Sequence, residues 1–348
     1  MYLYENQLKQ LTNQNRIWNK LSGSTILLSG ATGMLGKCMI DAVMLRNEIY
    51  GDGMKIIALS RNVETAKVRL AEYMNNPYFQ YISCDVNEKI SECGKVDYII
   101  HAASNTHPRQ YSGDPIGTIT ANVFGTKNLL DYAVEHSAKR FCFVSSVEIY
   151  GENRGDVETF EESYLGYLDC NTLRAGYPES KRLGETLCNA YGQAKGLDFV
   201  IPRLSRVYGP TMLLSDSKAI SQFIKNAAAG ENIVLKSEGT QKYSYTFVTD
   251  AAAGILYTLA FGASGGAYNI ADRESDIMLK DLAGLLAKAA GVSVVFELPE
   301  ESERKGYSTA TRAMLDASKL ERLGWHAQVH MEEGLACTVE AIRVKNKG

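Results

Sequence analysis

Apolar and polar positions alternate along this chain in two different periods. Thr25-Ile26-Leu27-Leu28 is a short apolar run ending at Ser29-Gly30, the pattern of a strand buried on both faces. Leu35, Met39, Ala42 and Val43 then recur at helical spacing. The same exchange repeats: strands over Lys55–Leu59, Phe79–Ile82, Val96–Ile100, Arg140–Val144 and Phe199–Ile201, and helices over Val63–Met74, Pro115–His136 and Pro178–Lys195. Strand–helix alternation of this kind predicts an α/β protein with a doubly wound parallel sheet covered on both faces.

The pattern changes at both ends. Leu3, Leu8, Leu11, Ile17 and Trp18, set among Asn, Gln and Lys, predict a helical extension over residues 1–23 that docks by one face. Beyond Val207 the alternation loosens. Helices are expected over Ser217–Ala229, Leu279–Ala290 and Met331–Val344, strands at Ile233–Leu235 and Ala267–Ile270, and a charged, turn-rich stretch over Pro299–Thr311. At 348 residues the chain exceeds what one compact core usually holds. We therefore expect a larger lobe over 24–206, to which 247–272 returns, and a smaller α/β lobe from 207–246 and 273–348.

Composition narrows the partners. The formal net charge of −3 gives no global field for nucleic acid or an anionic membrane, so an anionic ligand needs a local site. No run approaches the roughly 18 apolar residues of a membrane span, and the first twenty residues carry no apolar signal core. Seven scattered cysteines without a CxxC pair argue against a disulfide framework or zinc cluster and for the cytoplasm. His326 and His330 stand four apart but lack a third ligand, so no metal is expected. His101 and His107 flank the end of the fourth strand, where packing is the expected role.

Chemistry concentrates at strand ends. Gly30-Ala31-Thr32-Gly33-Met34-Leu35-Gly36 lies where the first strand meets the first long helix. A glycine turn there lets backbone N–H groups and the helix dipole approach a pyrophosphate. The next strand ends Ser60-Arg61 without an acid to read a ribose diol, which leaves NADP open beside NAD. Asp85, just past the third strand, is a candidate partner for an adenine amino group or a plain loop aspartate. Ser146 stands at the carboxyl end of a strand, and Tyr177 and Lys181 share a helix face four residues apart. A tyrosine is a poor base at neutral pH unless positive charge favours its phenolate. A Lys ammonium one turn away and a nicotinamide ring are suitable sources. The pair can then take a hydroxyl proton while hydride leaves, with Ser146 hydrogen-bonding the same oxygen.

With these residues placed, the chain from about Ser24 onward resembles the extended short-chain dehydrogenase/reductase superfamily, the nucleotide-sugar epimerases and dehydratases. The resemblance rests on G-A-T-G-M-L-G at 30–36, H-A-A at 101–103, N-V-F-G-T-K-N-L-L at 122–130, S-S-V-E-I-Y-G at 145–151, Y-P-E-S-K at 177–181, R-L-S-R-V-Y-G-P at 203–210 and L-G-W at 323–325. It implies a Rossmann-type fold and a tightly held NAD, outweighing the NADP reading at Arg61. It implies cofactor contacts at Gly30, Thr32, Gly33, Met34, Leu35, Gly36, Ser60, Arg61, Asp85, Val86, Ala102, Ala103, Ser104, Asn122, Tyr177, Lys181 and Arg203. A nucleoside-diphosphate sugar substrate and a homodimer built through helices 115–136 and 178–195 are implied as well.

Enzymes of this group share oxidation of the sugar C4 hydroxyl and differ in the fate of the resulting ketone. On a continued strand Ser146 and Glu148 project to one face. In the 4,6-dehydratases two acids follow the hydroxyl residue; here Val147 takes the first place and Glu148 the second. That pattern, with P-I-G-T-I-T-A-N at 115–122 and L-R-A-G-Y-P-E-S-K-R at 173–182, is similar to the UDP-glucuronate decarboxylases. The resemblance assigns Ser146, Glu148, Tyr177 and Lys181 to catalysis.

Substrate contacts are expected from Arg174, Arg206, Thr211, Lys242 and Tyr243, and three of these depart from the pattern. Arg206 replaces an asparagine, Thr211 an arginine, and Tyr243 an arginine with Lys242 beside it. Arg174 meets a sugar or carboxylate, or is a surface arginine at a helix start. Rival readings are a 4-epimerase, a 4,6-dehydratase and, in another class, a non-catalytic NAD(P)-binding sensor or interaction protein. The intact Ser146, Tyr177 and Lys181 speak against the last.

Overall fold

The computed structural model describes residues 2–106, 111, 113–297 and 310–346, so His107 and the expected turn-rich stretch up to residue 309 lie outside the described residues. The chain opens with two helices, α1 (Tyr2–Thr12) and α2 (Asn15–Leu21). Then come β1 (Thr25–Ser29), α3 (Met34–Tyr50), β2 (Lys55–Ser60), α4 (Val63–Arg69), β3 (Phe79–Ser83) and β4 (Tyr98–His101). They are followed by α5 (Pro115–Glu135), β5 (Arg140–Phe143), β6 (Ser145–Ser146), α6 (Gly176–Lys195) and β7 (Phe199–Leu204).

The main sheet has the order β5–β4–β1–β2–β3 across its centre and one edge, with β7 beyond β5. Its ladders are parallel throughout. Side chains alternate between two cores, as a strand period of two requires. Ile26, Leu28, Ile56 and Ala58 face one core with α3; Leu27, Ile57 and Leu59 face the other with α5 and α6. The chain leaves β1 toward β2 and β3, then crosses back so that β4 lies on the other side of β1. At such a reversal the connections after β1 and β4 diverge and open a crevice at the carboxyl ends of the strands.

Only Ser205 separates β7 from β8 (Arg206–Tyr208), so the chain passes from the main sheet straight into a second one. It continues through α7 (Ala219–Ala229), β9 (Ile233–Leu235) and β10 (Lys242–Phe247). The chain then returns: α8 (Val248–Phe261) packs against α3, and β11 (Gly266–Ile270) pairs in parallel with β7 as the last strand of the main sheet. The rest comprises β12 (Asp272–Met278), α9 (Leu279–Ala290), β13 (Val294–Phe296), β14 (Arg312–Ala313), α10 (Ser318–Glu321) and α11 (Met331–Lys345). β12, β10 and β14 form a second sheet joined by β8, and β9 pairs with β13. The helices α1 and α2 bury Leu8, Leu11, Ile17 and Trp18 and leave Leu3 exposed. They pack on α3 and α8, and the Trp18 indole N–H donates to the Leu11 carbonyl at 2.8 Å across their bend.

Candidate active site

A cavity of about 980 Å³ runs from the glycine turn along the carboxyl edge of the main sheet and on to α7 and β10. Its floor begins at Gly30, whose φ of +75° suits glycine. A Cβ there would stand 2.7 Å from the Ala102 carbonyl carbon, and one on Gly36 would stand 2.7 Å from Ala31 Cα. The two glycines let the turn, the start of α3 and the Ala102-Ala103 strand end lie close together. Thr32, Gly33, Met34 and Leu35 line the same floor, with Ser60, Arg61, Asp85, Val86, Ala103 and Ser104 along the side. This helix-capped cradle followed by a strand-end groove fits a dinucleotide, with the pyrophosphate at the start of α3. Arg61 is exposed and stands 4.0 Å from Asp85, whose other oxygen accepts the Asn87 amide.

The reactive groups lie farther along. β6 stops at Ser146 because its hydroxyl accepts the Glu148 amide at 3.3 Å and turns the chain into a 3-10 turn over Val147–Tyr150. The continued strand expected through Glu148 is therefore absent, and the turn is what brings the carboxylate to the cavity. Tyr177 sits in the first turn of α6, with Lys181 one turn on; both are buried and both line the cavity. Lys181 Nζ donates to the Val144 carbonyl at 2.8 Å and lies over the Phe143 ring. Burial pushes the Lys181 ammonium down to about 8, against the pull of Glu185 and Cys188. Burial raises the Tyr177 phenol above its ordinary range, a hydrogen bond with Ser146 opposes this, and the Glu148 charge adds to it. Its phenolate therefore needs a positive charge from the bound ligand.

Glu148 is held between two guanidinium groups, Arg174 Nη2 at 3.1 Å and Arg206 Nη2 at 3.4 Å. Burial opposes its charge, but the two arginines outweigh burial and hold the carboxyl below its usual range. Arg174 thus belongs to the site and is no surface residue. It also donates to the hydroxyl of Tyr111, whose ring stacks on Tyr177 with centroids 5.8 Å apart. No local motif marked Tyr111. The inner wall is completed by Tyr243 and Tyr245, and the far end by Asp216, Lys218, Lys236 and Gln241.

Four expected site residues fall outside the cavity lining, each for a physical reason. Arg203 points from β7 to a carboxylate on α6: its Nη2 meets Glu185 at 2.7 Å, and Nη1 donates to Tyr150 Oη and the Glu162 carbonyl. Asn122 is buried between α5 and α6, donating to Ser180 Oγ at 2.9 Å. Thr211 donates to the Met34 carbonyl at 2.9 Å and so ties the segment after β8 to the start of α3. Lys242 precedes Tyr243 on β10, and strand alternation sends it to the opposite face.

His101 and His330 each have a protein partner. His101, driven down to about 3 by burial and the nearby Lys181, shares a hydrogen bond with Ser29 Oγ at 2.7 Å. His330 Nδ1 meets Asp272 at 3.0 Å at the start of α11. Among the described residues no group of three or more metal-ligating side chains converges.

Comparison with known proteins agrees with this fold. The profile of the NAD dependent epimerase/dehydratase family matches residues 26–271. The UDP-glucuronic acid decarboxylases 5 and 3 of Arabidopsis thaliana are each 30% identical to this chain, over 93% and 92% of it and 91% and 89% of their own lengths. The dTDP-glucose 4,6-dehydratase DesIV of Streptomyces venezuelae, solved with NAD bound, superposes with a TM-score of 0.79 at 27% identity, covering 93% of this chain and 98% of that one. Fold, cradle and sequence agree: the chain belongs to the NAD dependent epimerase/dehydratase family.

Proposed function

We propose that the protein binds NAD and converts a nucleoside-diphosphate uronic acid, UDP-glucuronate, by oxidation at the sugar C4 and loss of the C5 carboxylate as CO2. One observation carries this reading: Tyr177, Ser146 and Lys181 meet on one cavity wall beside a glutamate locked as a carboxylate by Arg174 and Arg206. NAD bound along the cradle supplies the two-electron acceptor at C4 and the positive charge the Tyr177 phenolate needs. Tyr177 takes the C4 hydroxyl proton, Ser146 hydrogen-bonds the same oxygen, and Lys181 stabilises the phenolate. The C4 ketone makes the sugar a β-keto acid. The C5–carboxylate bond breaks, its electron pair moves into the C4 enolate, and CO2 leaves without a general acid. A proton then adds at C5 and the hydride taken at the first step returns to C4, so that the net change is loss of CO2.

A dehydration needs a proton donor for the departing hydroxyl. Val147 cannot donate, and Glu148 is held ionised. Incubating the NAD-loaded protein with UDP-glucuronate and weighing the product separates the readings. Loss of CO2 supports ours, unchanged mass indicates epimerisation, loss of water indicates dehydration, and no product at high enzyme concentration removes the proposal.

The charge on Lys181 gives a pH prediction. As pH rises through about 8 its ammonium is lost, so kcat/KM falls on the alkaline side. Lys181→Arg, which stays charged, moves that fall to higher pH; an unmoved limb would assign it elsewhere.

We infer a division of labour in which 24–206 with 247–272 holds the cofactor, and 207–246 with 273–348 holds the nucleotide sugar. We also infer a homodimer through α5 and α6, on which Ile116, Phe124 and Leu183 are 76%, 55% and 45% exposed. Sedimentation of wild type and Phe124→Glu tests it, with a monomeric wild type as the contrary result. Seven free thiols support a cytoplasmic location, which cell fractionation checks. No helix among the described residues is long and apolar enough to cross a membrane.

A further inference from the structure

Arg206 carries a hydrogen-bonding demand that the described residues do not meet. It opens β8, and its guanidinium carbon lies 3.5 Å from the centroid of the Tyr243 ring. That aromatic face holds the group from behind. Its Nη2 reaches Glu148 only at 3.4 Å, and its Nη1 is buried with no hydrogen-bond partner. Buried donors are nearly always satisfied in native proteins, so an orphaned one on a cavity wall calls for an acceptor.

The local charge says which acceptor. Two guanidinium groups, Arg174 and Arg206, face one carboxylate, Glu148. The nearby phenols of Tyr111, Tyr177 and Tyr245 are held neutral by burial. Lys218, at the next part of the wall, already has Asp216 at 3.1 Å. The clamp around Glu148 therefore holds one positive charge in excess, in surroundings where charge is poorly screened. A hydroxymethyl group at the sugar C5 leaves that excess standing, whereas a carboxylate cancels it and accepts from a planar guanidinium edge.

We propose that Arg206 is the residue by which this site recognises the carboxylate of a uronic acid, positioned for that role by Tyr243 behind it and Glu148 beside it. The proposal rests on the nucleotide-sugar reading above and adds to it the residue that selects uronates over neutral hexoses. Arg206 is a specificity-determining residue, and the carboxylate docks on it before any bond is broken.

Titration calorimetry with UDP-glucuronate, UDP-glucose and UDP tests this on NAD-loaded Tyr177→Phe protein, whose turnover is expected to be about 10³-fold slower. UDP-glucuronate is expected to bind about tenfold to a hundredfold more tightly than UDP-glucose, the range of one charge-assisted hydrogen-bonded contact. Adding Arg206→Asn erases that ratio and leaves UDP affinity within about threefold, because the lost contact lies at the sugar end. Arg206→Lys, which keeps the charge without the planar edge, restores part of the ratio.

Equal affinities in the parent, or a ratio that survives Arg206→Asn, overturn the proposal while UDP binding keeps the nucleotide-sugar reading intact. Loss of UDP affinity in both Arg206 variants overturns it too, since the residue then supports the fold or the nucleotide. If neither UDP nor either sugar binds the parent, the nucleotide-sugar reading falls and takes this proposal with it.

Discussion

Replacing Tyr177 with phenylalanine is expected to lower kcat by about 10³-fold, within the range that a positioned general base contributes. The variant keeps the packing: the ring that stacks on Tyr111 at 5.8 Å remains, and α6 loses one hydroxyl that meets Ser146. KM for the nucleotide sugar should change little, because the lost group acts on the C4 proton and not on the nucleotide. A single-turnover experiment sharpens the test. With no acceptor for the C4 proton, ketone formation should slow by the same factor and the cofactor should stay oxidised over the time of a wild-type turnover. Activity within tenfold of wild type would move the base elsewhere, with Glu148, the ionised carboxylate on the same wall, as the next candidate.

How much of this site was legible beforehand depends on how local each signal is. The glycine turn and the Tyr177–Lys181 pair are set by spacing along one element, and both stand in the cavity where that spacing places them. Residues whose direction depends on tertiary partners were not legible in the same way. Lys242 and Tyr243 are adjacent, yet one residue of strand register puts them on opposite faces of β10. Glu148 reaches the cavity through a turn that the Ser146 hydroxyl induces, whereas extrapolating the strand reached the same wall by a wrong path. Tyr111 carries no motif, because its stacking on Tyr177 joins residues 66 positions apart in the chain. The clamp on Glu148 is likewise assembled from three separate segments. Charge bookkeeping by position showed that cations had moved; only packing shows that Arg206 lies across the face of the tyrosine that replaces one of them.

Arg203 shows the converse, a motif residue whose work is structural, and its removal should give the largest stability loss. Its side chain is 12% exposed and that of Glu185 is 11% exposed, and two of its nitrogens meet both carboxylate oxygens at 3.1 and 2.7 Å. The remaining Nη1 is satisfied by Tyr150 Oη and the Glu162 carbonyl, and Ser145 Oγ donates to the same glutamate. Arg203→Ala leaves Glu185 almost buried without its countercharge, at a cost of about 3–5 kcal/mol. That is a large share of the about 5–15 kcal/mol by which folded domains are stable. Removing both partners with Arg203→Met and Glu185→Leu should cost much less than the single change, because no lone charge is then buried. Urea unfolding of the three variants measures both differences. NAD affinity of folded Arg203→Ala protein should match wild type, since the guanidinium faces α6 and lies outside the cavity lining. Undiminished stability with weakened NAD binding would return Arg203 to the cofactor contacts that its motif first implied.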